Sequence, residues 1–295
     1  MLDHSFGGTW TDQKLKKVSD YLPAYMHVLQ GKGFKVGYID AFAGTGYRTL
    51  RSACPDMPGL FEELEDEDAQ SYRDGSARMA LRTMPPFDKY IFIEKDSKKC
   101  AELEGLKTEF QTYSDRIDIR NGDANDCIAD LCSPSTCWDH HRAVMFLDPF
   151  GMQVDWTTVE MIAATKAIDL WYLFPIGSVN RLLERDQCRH QSFAECLDRT
   201  LGADDWRTVF YETHKEQSLF GSELEITNKV ASFNAIGSYI VKRLKTVFAG
   251  VVETPYTLKN SKNVPLFMLC FAVGNPNPKA VGPALKIARN ILMKD

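Results

Sequence analysis

Tyr38-Ile-Asp-Ala-Phe-Ala-Gly-Thr-Gly46 is the stretch that decides the fold. The short apolar strand Lys35 to Ile39 ends in Asp40 and passes at once into a turn carrying Gly44 and Gly46. Open α/β sheets bind ligands outside the carboxyl ends of their strands, and glycines let the backbone approach a ligand with its N–H groups turned toward it. The G-x-G-x-x-G spacing of dinucleotide enzymes is absent. A tight structural turn would use the same residue types, so the flanking chain has to decide between the two.

Working outward, Leu15, Val18, Leu22, Tyr25, Met26 and Leu29 fall at three- and four-residue spacings and predict a helix over Thr11 to Leu29, stopped by Gly31 and Gly33. On the other side the expected helix is delayed. Residues 47–74 form a loop insertion that contains the acidic run Glu62 to Asp68. The helix then begins near Asp74-Gly75-Ser76, with Asp74 or Ser76 as its N-cap. Its free N–H groups would suit a carboxylate, a role compatible with simple capping. Strands follow at Lys89 to Glu94, Arg116 to Arg120, Ala143 to Leu147 and Ala167 to Phe174, with a helix at Ser97 to Phe110. Residues 176–225 read as a mostly helical insertion on the substrate side. A further helix is expected over Thr227 to Phe248, then two strands, Gly250 to Pro255 and Pro265 to Val273, around the turn Lys259 to Asn263. Alternating strands and helices closed by a hairpin predict an α/β fold: a Rossmann-like, mostly parallel seven-stranded sheet, its last strand antiparallel, flanked by helices, an arrangement that resembles the methyltransferase sheet.

The strand ends carry the chemistry. Asp40, Glu94, Asp123 and Asp148 close or follow four successive strands. Each alone reads equally as a cap or a surface charge, but one ligand site explains all four. A carboxylate at Glu94 can accept hydrogen bonds from two hydroxyls of a ribose at once. Asp40 and Glu94 lie farther apart than the usual ~20 residues, a gap the 47–74 insertion accounts for.

Composition bounds the rest. At 295 residues with 44% apolar content, one large domain with insertions is expected. The net charge of −5 exerts no global pull on nucleic acid. Eight cysteines without a C-x-x-C pair and without a signal peptide point to a reducing cytosol. Cys127, Cys132 and Cys137, near His140 and His141, match no common zinc spacing and read as loop and core thiols. No apolar run approaches the ~18 residues of a membrane span, so no membrane partner is expected.

With these residues in place, Asp40 to Gly46 resembles motif I of S-adenosylmethionine-dependent methyltransferases. In those enzymes the acid and the glycines hold the amino-acid end of the cofactor. Asp148-Pro-Phe-Gly151 stands where amino-directed nucleic-acid methyltransferases carry [DNS]-P-P-[YFW], but Phe150 replaces the second proline and Gly151 the aromatic. Phe150 could stack on a flat substrate or simply pack. The chain as a whole, from about residue 11 to residue 275, resembles the bacterial three-Cys-motif partner family (TcmP). The resemblance rests on YIDAFAGTG, the delayed helix start at Gly75 to Leu81, IEKD at 93–96, GDAN, FLDPFG and IDLWYLFP. It implies a methyltransferase-like fold in a bacterial cytosol, a protein partner encoded nearby, and S-adenosyl-L-methionine as cofactor. Carried onto this sequence, it places cofactor contacts at Asp40, Phe42, Ala43, Gly44, Thr45, Gly46, Gly75, Ser76, Glu94, Lys95, Asp123, Ala124 and Asp148, and the chemistry at Asp148 and Phe150. It supplies no substrate: nucleic acid, peptide and small molecule all stay open. The leading expectation is therefore a methyltransferase. The alternative is a non-catalytic, cofactor-binding subunit that positions a neighbouring enzyme. A Rossmann oxidoreductase is a third reading, disfavoured by the missing G-x-G-x-x-G.

Overall fold

The computed structural model describes residues 10–44, 75–183, 190–217 and 223–294. Parallel strands β1 (Lys35–Asp40), β2 (Lys89–Glu94), β3 (Ile117–Asn121), β4 (His141–Leu147) and β5 (Ile168–Phe174) are joined by helical crossovers. The sheet continues through β10 (Pro265–Val273), antiparallel to β5, and ends at the two-residue β8 (Gly250–Val251). Its order is β3-β2-β1-β4-β5-β10-β8, with β9 (Tyr256–Lys259) also paired to β10. This is the Rossmann-like methyltransferase-type sheet read from the sequence, parallel except at its closing strands.

Both faces are covered, which is why the inner strands are apolar runs rather than alternations. All seven residues of β5 and eight of the nine in β10 are buried. Val36, Tyr38, Tyr90, Phe92, Val144, Phe146 and Trp171 point to one core, closed by α1 (Trp10–Leu29), α2 (Ser76–Leu81), α3 (Ser97–Glu109) and α10 (Pro278–Leu292). Ile39, Ile93, Met145, Leu147, Leu170 and Tyr172 point to the other, closed by α4 (Ala124–Leu131), α5 (Trp156–Ala164), α6 (Ile176–Leu182), α7 (Gln191–Leu201) and α9 (Phe233–Val247). The same alternation along β1 puts Asp40 on the α1 face, two residues beyond Tyr38.

The chain leaves β1 for β2 on one side and pairs with β4 on the other. The carboxyl ends of β1 and β4 therefore flank the topological switch point, where open sheets form a crevice. Among the described residues no helix is long and apolar enough to cross a membrane.

Several boundaries differ from those read in the sequence. After α7 and the short α8 (Trp206–Phe210), the segment read as mostly helical turns into a two-stranded antiparallel ribbon, β6 (Tyr211–Gln217) and β7 (Glu223–Lys229). Its residues are polar, so neither period stands out in the sequence. The helix expected from Thr227 begins instead at Phe233, where the Ser232 hydroxyl accepts the Ala235 N–H at 3.1 Å. Across the Lys259–Asn263 turn, β10 pairs with β9, while β8 runs on its other side. Helix α10 has no counterpart in the sequence reading; it contains Pro278, Gly282 and Pro283. Pro278 instead occupies the first turn, where its missing N–H leaves nothing unpaired. The 47–74 insertion lies outside the described residues.

Candidate functional site

The site begins where β1 runs out. The Ala41 N–H donates to the Phe146 carbonyl of β4 at 3.1 Å, and the Ala43 N–H to the Ile93 carbonyl of β2 at 3.0 Å. These two bonds clamp the turn between its neighbours and fix Asp40, Phe42, Ala43 and Gly44. Thr45 and Gly46 lie outside the described residues. Asp40 is fully buried. Its Oδ1 accepts the Phe42 N–H at 3.2 Å, whereas Oδ2 has no hydrogen-bond partner among the described residues. Burial pushes this carboxyl up to about 7, and Asp148 adds to the effect, while the Ser76 hydroxyl, the Phe42 N–H and Lys14 act against it.

Gly44 leaves room for the Glu94 side chain, which any larger residue would have to displace. A Cβ there would overlap the Glu94 carboxylate. Glu94 thus lies directly against the turn. Its Oε1 accepts the Asp96 N–H at 2.7 Å, which holds the side chain at the end of β2. Asp96 in turn caps α3 through the Lys98 and Lys99 N–H groups.

Asp123 caps α4 by accepting the Asn125 N–H at 3.0 Å, and it pairs with Lys95 at 3.1 Å. Burial raises its carboxyl, but the Lys95 and Asn125 bonds prevail and hold it below the ordinary value. Lys95 and Asp123 are therefore engaged with each other, half-exposed at the same edge, with Ala124 buried behind them. Gly75 caps α2 without a side-chain bond, and Ser76 is the first residue inside that helix. Ser76 is thus not the N-cap, and its buried hydroxyl acts on Asp40 instead; Asp74 lies outside the described residues. Phe42 is half-buried against the core on the α4 and α5 side.

Asp148 ends β4 on the α1 face, and there the structure adds a residue that the sequence reading passed over. Lys14 of α1 places its Nζ 2.5 Å from Asp148 Oδ2 and 4.9 Å from the centre of the Trp10 ring. Asp148 is not the cap of the following helix: α5 starts at Trp156, with Asp155 in the capping position. The Tyr38 hydroxyl lies buried without a hydrogen-bond partner among the described residues; burial, then the charges of Asp40 and Asp148, hold it well above the ordinary phenol range.

The rest of the DPFG segment is rigidly held. The Phe150 N–H donates to Gln153 Oε1 at 3.0 Å, and Asn125 Nδ2 donates to the Gln153 carbonyl at 2.9 Å. Phe150 itself is half-buried against the α1-side core. Gly151 has φ 70°, a conformation in which a side chain is strained. An aromatic at this position would need a different backbone, so the departure from [DNS]-P-P-[YFW] is conformational as well as chemical.

The edge thus gathers Asp40, Gly44, Ser76, Glu94, Lys95, Asp123 and Asp148 along four adjacent strands. Two acceptors lie there: Asp40 Oδ2, without a partner among the described residues, beside the switch point, and the Glu94 carboxylate over the turn.

No protein-family model matches the chain, and no curated protein matches it in sequence. Solved structures resemble it in fold. Protein LPL1258 of Legionella pneumophila is 13% identical over 82% of this chain and 94% of its own, with a TM-score of 0.40. A Listeria monocytogenes protein assigned to the S-adenosylmethionine-dependent methyltransferases is 8% identical over 88% of this chain and 97% of its own, with a TM-score of 0.35. An O-methyltransferase from Bacillus cereus, solved in complex with SAH, is 12% identical over 78% of this chain and 94% of its own, with a TM-score of 0.30.

Proposed function

We propose that the chain is an S-adenosyl-L-methionine-dependent methyltransferase of TcmP type, working in a bacterial cytosol with a protein partner encoded nearby. One observation carries this reading. A fully buried acid at the switch point leaves one carboxyl oxygen without a hydrogen-bond partner among the described residues, beside a glycine turn on which a second strand-end acid rests. An unsatisfied buried acceptor is costly unless a ligand completes it. The cofactor's ammonium suits Asp40, and its ribose hydroxyls suit Glu94. Bound there, the cofactor would supply an electrophilic methyl group. The chain's own part is then to hold donor and acceptor in line and keep water out. Asp148 would orient the acceptor and receive its proton.

The left-handed backbone at Gly151 favours a second reading. With no aromatic platform at that position, the chain could bind cofactor without transferring its methyl group, as a subunit that positions its partner. Incubation with methyl-labelled cofactor, the partner protein and pools of RNA, DNA, peptides and small molecules separates the two. Label appearing in any pool, and lost in Asp148→Ala, supports the enzyme. Tight cofactor binding with no transfer to any pool supports the binding subunit.

A further inference from the structure

Lys14 lies in register with the residues that α1 buries, at 14, 18, 21 and 25. A lysine on such a stripe is not there for packing, which leucine would serve without the desolvation of a charge. Its side chain is 9% exposed and that of its partner Asp148 is 18% exposed. An ammonium has three N–H donors, and the contact with Asp148 uses one; a carboxylate has two oxygens, and the contact uses Oδ2. Among the described residues no other hydrogen bond to Asp148 is formed, which leaves Oδ1 for another group. It stands beside the switch point, close enough for Lys14 to act on Asp40 as well.

We infer that Lys14 is a positioning residue that sets the charge class of the methyl acceptor. It neutralises Asp148, leaves one carboxylate oxygen to orient a neutral N–H or O–H, and repels a protonated amine. This deepens the methyltransferase reading and rests on it. The acceptors it admits are hydroxyls, amides and aromatic or heteroaromatic amines. Protonated alkyl amines such as a lysine side chain are refused. In the transfer, the acceptor's lone pair forms the bond to the methyl carbon, and the S–C electron pair stays on sulfur as a thioether. The proton that the methylated atom then sheds passes to Asp148 Oδ1 and on to water. Asp148 orients the acceptor first and takes the proton only once methylation has made it acidic.

The probe is sinefungin, the cofactor analogue with a protonated amine in place of the methyl-bearing sulfonium, compared with S-adenosylhomocysteine by calorimetry. The wild type should bind the amine at least about threefold more weakly than S-adenosylhomocysteine. Lys14→Gln keeps a donor for Asp148 without the charge and should shift the ratio toward the amine by about tenfold or more, whereas Lys14→Arg should leave it unchanged. Asp148→Asn, which serves equally if Lys14→Gln does not fold, should shift the ratio about tenfold the other way. A wild type that already prefers the amine tenfold, or a ratio unmoved in Lys14→Gln or in Asp148→Asn, overturns the role of Lys14. Absence of heat with both ligands in the wild type overturns the cofactor reading beneath it.

Discussion

Replacing Asp40 with asparagine should make the protein more stable and its cofactor site weaker. Asp40 is fully buried, and its carboxyl is raised from 3.8 to about 7 by that burial. Below about pH 4 the group is protonated in both folded and unfolded chains and exerts no differential effect. Between about pH 4 and 7 the unfolded chain releases the proton while the folded one keeps it, so this residue's contribution to stability falls as pH rises. Above pH 7 the penalty is complete. A displacement of about three pH units corresponds to at most about 4 kcal/mol. Asn has the same shape and keeps an oxygen for the Phe42 N–H, but it does not ionise. Urea unfolding should show Asp40→Asn more stable than the parent by about 1–4 kcal/mol at pH 8, with the advantage shrinking toward zero near pH 4. Calorimetry on the same variant should show affinity for S-adenosylhomocysteine reduced about ten- to a hundredfold, because a neutral amide replaces a charged acceptor. A variant destabilised equally at every pH would refute the buried-charge argument. Unchanged affinity would remove Asp40 from the ligand site.

Three further outcomes follow from contacts at the site and in its support. Gly44→Ala drives a methyl group into the Glu94 carboxylate, so it and Glu94→Ala should each lower cofactor affinity about tenfold or more; the double variant should lose little beyond either single one, and additive losses in calorimetry would separate the two residues. Asp148→Asn should leave affinity for S-adenosylhomocysteine near that of the wild type while transfer falls about 10²-fold; full turnover in a labelled-methyl assay would exclude Asp148 from the chemistry. Gly202 combines φ 68° with a Cβ position inside the Trp156 ring, so Gly202→Ala should cost about 2 kcal/mol or more in urea unfolding, and a change below about 0.5 kcal/mol would mean that α7 and α5 separate freely there.

The strand ends were legible because each combines an apolar run with an acid and a turn residue, and a parallel sheet must line such ends up along one edge. The order of β1, β2, β3 and β4 therefore delivered Asp40, Glu94, Asp123 and Asp148 together. What failed to read was whatever depended on contacts between distant segments. Lys14 counts as polar in any periodicity scan, yet its spacing from Val18, Tyr21 and Tyr25 placed it on the buried stripe; a charged residue in apolar register was the available clue. The Lys95–Asp123 pair could not be foreseen, because a sequence shows strand ends without showing which neighbours already satisfy them. The β6–β7 ribbon pairs polar strands of seven residues whose stability comes from each other, so no single-segment pattern marked them. Helix α10 is held by α1, with Lys17 Nζ donating to the Ile291 and Lys294 carbonyls at 3.3 and 2.6 Å, a partnership across almost the whole chain that no local pattern shows.

The central claim is that the carboxyl edge between β1, β2 and β4 takes S-adenosyl-L-methionine. Calorimetric titration of the purified chain with S-adenosylmethionine, S-adenosylhomocysteine, NAD and FAD tests it most directly. The account predicts one site per chain for the first two ligands, lost in Asp40→Ala and in Gly44→Arg while both variants keep a cooperative unfolding transition, and no heat with NAD or FAD. Binding of NAD or FAD in preference, or undiminished binding of S-adenosylhomocysteine by both variants, would contradict it.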